Sequence, residues 1–391
     1  MAKYLLNKTI GLRSWSGVPY TYCVKGETEP HRLSKSDFLL LMHCDGTEEL
    51  TPSPQLEALA ARGLIHEASE GEVLTDWQAF HFFGNLPVKL LTIELTERCN
   101  YNCLHCFNAA DSERSAEELS LDDIRRILEG AVECGISHVM LTGGEPLLHR
   151  DFLEIVQIIQ DKGLELYAVN TNGAFITQNI LEEMKQIGSR PLMKISFDGI
   201  GFHDWMRNKE GAEERTIRAI RTCIENGFPV QTQTNINRRN LSCILPTLKA
   251  MDALGVDNTR VIRTTEAPRW FENGKDSCLT WNEYFDNALE IMQSYASEEH
   301  HMDLEFWQFE VLDIKKPPLL QQKRFINQKK NLRTICFVQK GFLSAQTEKR
   351  FPACKCREGS NPDMYTWVIS KQILWNLCFT KAQSSRSSPL R

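Results

Sequence analysis

Three cysteines crowd one short stretch, Cys99-Asn100-Tyr101-Asn102-Cys103-Leu104-His105-Cys106. Thiolates are soft ligands, and a group of them suits iron–sulfur iron or zinc. A closed structural zinc site takes four protein ligands, so zinc here would need His105 or a distant cysteine as the fourth. A [4Fe–4S] cluster held by three cysteines keeps one iron without a thiolate, open to a substrate or cofactor. Three unconnected thiols are the remaining reading, and spacing alone does not choose among these.

Other chemistry-bearing residues follow at intervals. Thr142-Gly143-Gly144-Glu145-Pro146 pairs two glycines, which permit close backbone approach to a ligand, with an acceptor for an amino group. As an isolated motif it reads equally as a glycine-rich turn with a solvated glutamate. Asn170-Thr171-Asn172-Gly173 and Ser196-Phe197-Asp198-Gly199 offer polar side chains, though Asn, Asp and Gly also favour turns. His203-Asp204-Trp205-Met206-Arg207 adds a cation that serves equally as an anion ligand or as a solvated loop residue.

The elements that must position these groups are legible from Leu90 onward. The pattern predicts strands at Leu90–Leu95, His138–Thr142, Glu165–Val169, Leu192–Phe197, Val230–Thr234 and Arg260–Thr264. Helices fall between them. One opens at Ser120 with Asp123 three residues on, as a capping box, and turns Ile124, Ile127, Leu128 and Ala131 to one face. Others are expected from Asp151 to Gly163, up to Gly188, up to Gly227 (with Ile217, Ile220 and Ile224 inward), up to Gly255, and over Asn282–Tyr295. Strands alternating with helices pair in parallel through right-handed crossovers. The polar clusters follow strands one to four, and polar residues also end strand five. Such ends converge on one mouth in a barrel, whereas an open doubly wound sheet gathers them at one switch point. The expectation is an α/β chain whose residues 87–300 form a partial (β/α)6 TIM-like barrel with the cysteine triplet at its mouth. That position argues against both zinc and unconnected thiols.

The C-x3-C-x2-C triplet resembles the signature of the radical S-adenosylmethionine (radical SAM) superfamily, and Gly143–Pro146 is similar to its GGEP motif. The resemblance covers about Leu90 to Tyr295. It implies that Cys99, Cys103 and Cys106 hold a [4Fe–4S] cluster whose open iron chelates the amino and carboxylate groups of SAM. It further implies that Gly143, Gly144, Glu145 and Pro146 bind the SAM amino group, and that His105 packs near the adenine. Asn170, Ser196 and Asp198 would contact the ribose and carboxylate, and Arg207 would help hold a carboxylate. Reductive cleavage then yields a 5′-deoxyadenosyl radical that abstracts hydrogen, with the protein positioning the cofactor and shielding the radical.

The two ends read differently. Residues 1–86 combine strand-like stretches near Tyr20–Val24, a helix at Ser34–Met42 with Phe38, Leu39 and Leu41 inward, a second helix at Ser53–Arg62, and a polar turn at Glu70-Gly71-Glu72. This resembles a winged-helix leader-peptide-recognition domain, which binds a peptide as an added strand; a DNA-binding winged helix and a packing subdomain are the alternatives. Residues 301–380 contain Cys336, Cys354, Cys356 and Cys378 and look like a divergent auxiliary-cluster (SPASM-type) extension, which would hold a second iron–sulfur cluster. The usual central glycine is missing and the later cysteines are too few. Truncation, a reading-frame change and divergence all fit. Residues 381–391, rich in Ser and Arg, read as disordered.

Composition sets the frame. With 391 residues, 42% hydrophobic and 25% charged, the chain has room for two or three domains with real cores. A net charge of −6 does not suit a general nucleic-acid binder. No run reaches the ~18 apolar residues of a membrane span and no secretory signal is visible, so the expectation is a cytoplasmic protein without nucleic-acid or membrane partners. Of thirteen cysteines, Cys23, Cys44, Cys134, Cys223, Cys243 and Cys278 stand singly, as small hydrophobes do. The leading expectation is a radical SAM enzyme that matures a ribosomally made peptide with the help of a reducing electron donor. The rivals are a sulfatase-maturase-like protein oxidase and a non-catalytic peptide-binding protein with a damaged C-terminus.

Overall fold

The structure is a computed structural model that describes residues 1–27, 30–108, 118–266, 268–307, 357–358 and 365–369. Two compact units emerge, one built mainly on Met1–Leu91 and one mainly on residues from Thr92 onward.

The first unit runs β1 (Ala2–Leu6), β2 (Ile10–Trp15), β3 (Val18–Val24), β4 (His31–Arg32), α1 (Lys35–Met42), β5 (Asp45–Leu50), α2 (Pro54–Ala61), β6 (Ile65–Glu67) and β7 (His81–Phe83). The strands make a three-stranded sheet, β5-β1-β6, and a four-stranded one, β4-β3-β2-β7. Both helices start where a serine accepts from the backbone: Ser34 Oγ from Asp37 N at 3.0 Å, and Ser53 Oγ from Leu56 N at 3.3 Å. Phe38 and Leu41 of α1 join Leu56 and Leu59 of α2 in a core with Leu6, Ile10 and Leu12. Leu39, expected inward, is 46% exposed. A residue one step from Phe38 is turned about 100° around the helix, and only the i, i+3 pair Phe38 and Leu41 shares the inner face. The strands, small helices and polar turn are where the sequence placed them; the second sheet was not anticipated.

The chain continues through β8 (Val88–Glu94), α3 (Leu121–Glu133), β9 (His138–Thr142), α4 (Phe152–Asp161), β10 (Glu165–Thr171), α5 (Gln178–Gln186), β11 (Leu192–Ser196), α6 (His203–Arg207), α7 (Ala212–Glu225), β12 (Val230–Ile236), α8 (Ile244–Leu254), β13 (Asn258–Arg263), α9 (Pro268–Asn273), α10 (Trp281–Tyr295) and β14 (Asp303–Phe306), followed by β15 (Arg357–Glu358) and β16 (Tyr365–Ile369). Strands β8 to β14 lie side by side in chain order, and the pairs from β10 to β14 are parallel. This is the expected partial barrel, with β14 as a seventh strand beyond the six read from the sequence. The capping box at Ser120 forms as expected: Asp123 N donates to Ser120 Oγ at 3.2 Å and Ser120 N to Asp123 Oδ2 at 3.2 Å. A second box, Thr280 with Glu283, opens α10.

Register divides the sheet into two faces. Thr171, Ile195, Thr232, Thr259 and Leu304 stand in one row, all nearly inaccessible to solvent. On the opposite face one row holds Asn170, Lys194, Gln231, Asn258 and Asp303, and the next holds Ser196, Gln233, Arg260 and Glu305. The first row packs toward the crossover helices, since a Cβ on Gly173 would meet Ile195 Cγ2 and Ala219 Cβ of α7 alike at 3.3 Å, and the polar face belongs to the barrel interior.

Candidate functional site

The cysteine loop leaves β8 and is anchored at its base. Leu95 N donates to Thr142 O at 2.9 Å, Gly144 N to Thr96 O at 2.7 Å and Glu145 N to Arg98 O at 2.8 Å. The two glycines make this approach feasible. A Cβ on Gly143 would lie 2.5 Å from the Thr96 carbonyl oxygen, and one on Gly144 would collide with the Arg98 carbonyl. Their freedom therefore serves contact between the turn after β9 and the backbone leading into Cys99.

Cys99 and Cys103 are buried, Cys106 is half-buried, and the three gather around Tyr101 and Ala212. Burial pushes the Cys99 thiol up to about 12 and raises that of Cys103 as well, although Arg207 partly offsets it. Such thiols are poor free nucleophiles; to be thiolates they need positive charge bound among them. Polar neighbours already face the sulfurs. Asn172 Nδ2 lies 3.7 Å from Cys99 Sγ and donates to Asn100 Oδ1 at 2.8 Å. Arg207 Nη1 lies 3.8 Å from Cys103 Sγ. Among the described residues, no three His, Cys, Asp or Glu side chains close on a single metal ion.

Beside the thiols lies a buried charged group. Asp198 is inaccessible, with Arg207 Nε 2.7 Å from its Oδ2, His203 Nδ1 at 3.8 Å and His105 Nε2 at 3.9 Å. Burial works against the Asp198 charge, but Arg207, the two histidines and the Asn235 N–H outweigh it and hold the carboxyl below its ordinary range. Burial likewise opposes the Arg207 charge, and Asp198 with Cys103 more than restores it. Burial drives His105 down to about 4 and His203 to about 3, so both rings are neutral. His203 Nδ1 accepts from Asp198 N at 3.0 Å, which places its proton on Nε2, facing Thr216 Oγ1 at 3.2 Å. Among the described residues, Arg207 Nη2, His105 Nδ1 and Asn170 Oδ1 are buried without a hydrogen-bond partner. Buried polar atoms left open in this way mark a place built for a further group.

Glu145 is also inaccessible. Its Oε1 accepts from Thr171 Oγ1 at 2.7 Å and Leu147 N at 3.2 Å, and its Oε2 from Asn172 N at 2.7 Å. Burial pushes it up to about 7 despite these donors. Pro146 is buried at the start of a single 3₁₀ turn, Pro146–Leu148. Ser196 is half-buried at the end of β11. The structure thus brings His105, Asp198 and Arg207 together against Cys103, and sets Gly143–Glu145 against the base of the cysteine loop. Asn172, His203 and Asn235 were not singled out by the sequence; the polar ending of strand five was the one signal for Asn235, whose Nδ2 lies 3.3 Å from His105 Nε2. Among the single cysteines, Cys44, Cys223 and Cys278 are buried as expected, while Cys23, Cys134 and Cys243 are half-buried. Cys336, Cys354, Cys356 and Cys378 lie outside the described residues.

Residues 93–249 match the profile of the family described as the radical SAM superfamily. An AdoMet-dependent heme synthase of Methanosarcina barkeri is 36% identical over 173 residues, 44% of this chain and 49% of that protein. A PqqA peptide cyclase of Granulibacter bethesdensis is 28% identical over 210 residues, 53% of this chain and 55% of that protein. The chain spans about half the length of these curated relatives. Among solved structures, Streptococcus suis SuiB bound to the precursor peptide SuiA superposes with a TM-score of 0.58 at 13% identity, covering 78% of this chain and 72% of SuiB. SuiB bound to S-adenosylmethionine gives 0.54 at 13%, covering 77% and 72%. At that identity the likeness is one of fold. No helix among the described residues is long and apolar enough to cross a membrane.

Proposed function

We propose that residues 93–249, which match the radical SAM profile, form a radical SAM domain, and that the chain is an enzyme that cleaves S-adenosylmethionine at Cys99, Cys103 and Cys106 and takes a hydrogen atom from a peptide. The observation that carries this reading is the meeting of three clustered thiols, two of them buried, with buried polar atoms unpartnered among the described residues at the C-terminal ends of parallel strands. The residues fit a [4Fe–4S] cluster and SAM. Three thiols supply the soft donors, and Arg207 Nη2, His105 Nδ1 and Asn170 Oδ1 offer donors and acceptors that no described residue satisfies. Bound there, the cluster would supply an electron and SAM the C–S bond that the electron breaks, the source of hydrogen abstraction.

The chain's own residues do the rest. Arg207, charged and buried beside Cys103, offsets thiolate charge and presents Nη2 to a carboxylate. Neutral His105 offers Nδ1 without adding a second positive charge. Glu145 fixes the end of β10 to the turn after β9, and one lone pair on its Oε2 stays open for an amino N–H. Asp198 holds Arg207 in place; stripped of that partner, a buried guanidinium would cost about 3–5 kcal/mol. The peptide substrate is supported by the PqqA peptide cyclase likeness and by the fold shared with SuiB. The first unit, with strand edges at β4, β5, β6 and β7, is the part suited to take up a leader peptide as an added strand. An electron donor is required to load the cluster.

The test is anaerobic reconstitution followed by reduction with SAM present. Wild-type protein should show a charge-transfer band and release 5′-deoxyadenosine. The combined change Cys99→Ala, Cys103→Ala, Cys106→Ala should lose both. A triple variant that still cleaves SAM would remove the triplet from the site.

A further inference from the structure

The polar face of the barrel sheet carries a cation that none of this chemistry uses. Lys194 sits within β11, on the same face as Ser196, roughly 7 Å deeper at about 3.3 Å per residue. It is 8% exposed. Its near contacts among the described residues are the Met140 sulfur at 3.7 Å and the face of Tyr167, 5.4 Å to the ring centroid. Neither neutralises an ammonium. Glu305 acts on it from a distance, but that carboxylate is already paired with Arg260 at 3.0 Å. Burial first, and then Arg260, bring Lys194 down to about 8, so it is largely charged at neutral pH. Among the described residues, Lys194, Arg260 and Glu305 together leave one positive charge unmatched. A buried ammonium without a counter-charge is costly, and a methionine or leucine would pack here without that cost.

We propose that Lys194, with Arg260 beside it, docks a carboxylate of the substrate, namely the acidic side chain of a peptide residue neighbouring the one that loses hydrogen. The position explains the arrangement. The carboxylate would lie below the thiols on the barrel's inner face, so an adjoining residue of the same peptide would be held near the mouth. Arg260 is steered by Glu305 and by the Trp307 ring, 4.8 Å to the centroid, and so lies beside Lys194 without folding onto it. The proposal rests on the peptide reading given above.

The experiment uses anaerobic, cluster-loaded protein with SAM bound. It is dialysed to equilibrium against an equimolar mixture of acetylated, amidated Gly-Xaa-Gly tripeptides with Asp, Glu, Asn or Gln in the middle, and retention is read by mass spectrometry. Asp or Glu should be retained about tenfold over its amide, as a charge-assisted hydrogen bond provides. The preference should vanish in Lys194→Met and persist in Lys194→Arg. Met preserves the packing against Met140 and Tyr167, and an iron content equal to wild type shows that the variant folds; Lys194→Gln substitutes if it does not. No preference for the acids, or one that survives both Lys194→Met and Lys194→Gln, overturns the proposal. Glutarate bound as tightly as the acidic tripeptides overturns the peptide as the carboxylate's source. Release of 5′-deoxyadenosine, read in the same preparations, reports on the proposed function separately: a protein that cleaves no SAM sinks that reading whether or not acidic peptides are retained.

Discussion

A carboxyl with no access to water and three inward hydrogen bonds does two jobs at once, and Glu145 shows how they separate. Its pKa is raised to about 7 from an ordinary value of 4.5. The native state therefore holds its proton more tightly than the unfolded chain does. The stability this contributes is fully present below about pH 4.5 and is lost as pH rises through about 7. Glu145→Gln has no such dependence. The stability of wild type relative to that variant should fall by about 2–3 kcal/mol between pH 5 and pH 7.5 in urea unfolding, since each tenfold difference in proton affinity between the folded and unfolded chain is worth about 1.4 kcal/mol; a flat difference would show that burial does not perturb this carboxyl. SAM affinity in a titration should also drop tenfold to a hundredfold in Glu145→Gln, with iron content unchanged, since the open acceptor lost is worth about 1.5–3 kcal/mol. Unchanged affinity would leave Glu145 a purely internal brace. The thiols and the Gly-Gly-Glu-Pro run were legible in the sequence because ligand chemistry is a property of residue type and close spacing. The partners of Glu145 were not, because Thr171 and Asn172 reach it from another strand. The same holds for Asp198, which draws His105, His203 and Arg207 from separate segments; no local spacing encodes such a meeting.

At the scale of elements, the turn after β9 and the loop after β8 behave as one piece. Gly144 N and Glu145 N bond the backbone of residues 96 and 98, and a side chain on Gly144 would strike main chain that cannot swing aside. Gly144→Ala should therefore dislodge the segment entering Cys99 and cost about 1–3 kcal/mol as overpacking. Iron per chain after reconstitution should fall below half of wild type. Gly130→Ala is the control: the site lies within α3 and a Cβ there meets nothing within 4 Å, so stability should rise by about 0.5–1 kcal/mol with full iron. Equal iron in the two variants would show that the turn does not seat the loop. Strand and helix order was readable because period and capping are local. Ser120 and Asp123 pair as their spacing predicts, and helix ends fall at glycines such as Gly255, whose φ of 88° favours glycine. Leu39 points outward because it follows Phe38 by one residue, about 100° around the helix, and an apolar run carries no angle of its own. The unanticipated strand, Asp303–Phe306, is four residues long, and its acidic alternation resembles a loop until the edge of β13 offers it partners.

For the whole molecule the open matter is how many clusters one chain holds. Nine of the thirteen cysteines lie in the described residues, and only Cys99, Cys103 and Cys106 gather there. The other four, Cys336, Cys354, Cys356 and Cys378, were read from spacing alone, and that spacing departs from the auxiliary-cluster pattern it resembles. A second cluster would be ligated fully or nearly so by thiolates, which would take all four of these residues. They are spread over more than forty positions, so bringing them together needs a packed scaffold. The closing Ser384-Ser385-Arg386-Ser387-Ser388-Pro389 lies beyond the last of them and adds no apolar residue to one. The expected outcome is one cluster. Reconstituted wild type should hold about four irons per chain, the content of a single [4Fe–4S] unit, and the triple Cys→Ala variant at 99, 103 and 106 should hold almost none. About eight irons in the wild type and about four left in the variant would mean that the distant cysteines do assemble. The hydrogen-abstraction reading would survive that result, because it rests on the triplet and the polar atoms beside it; the whole chain would then be a two-cluster protein.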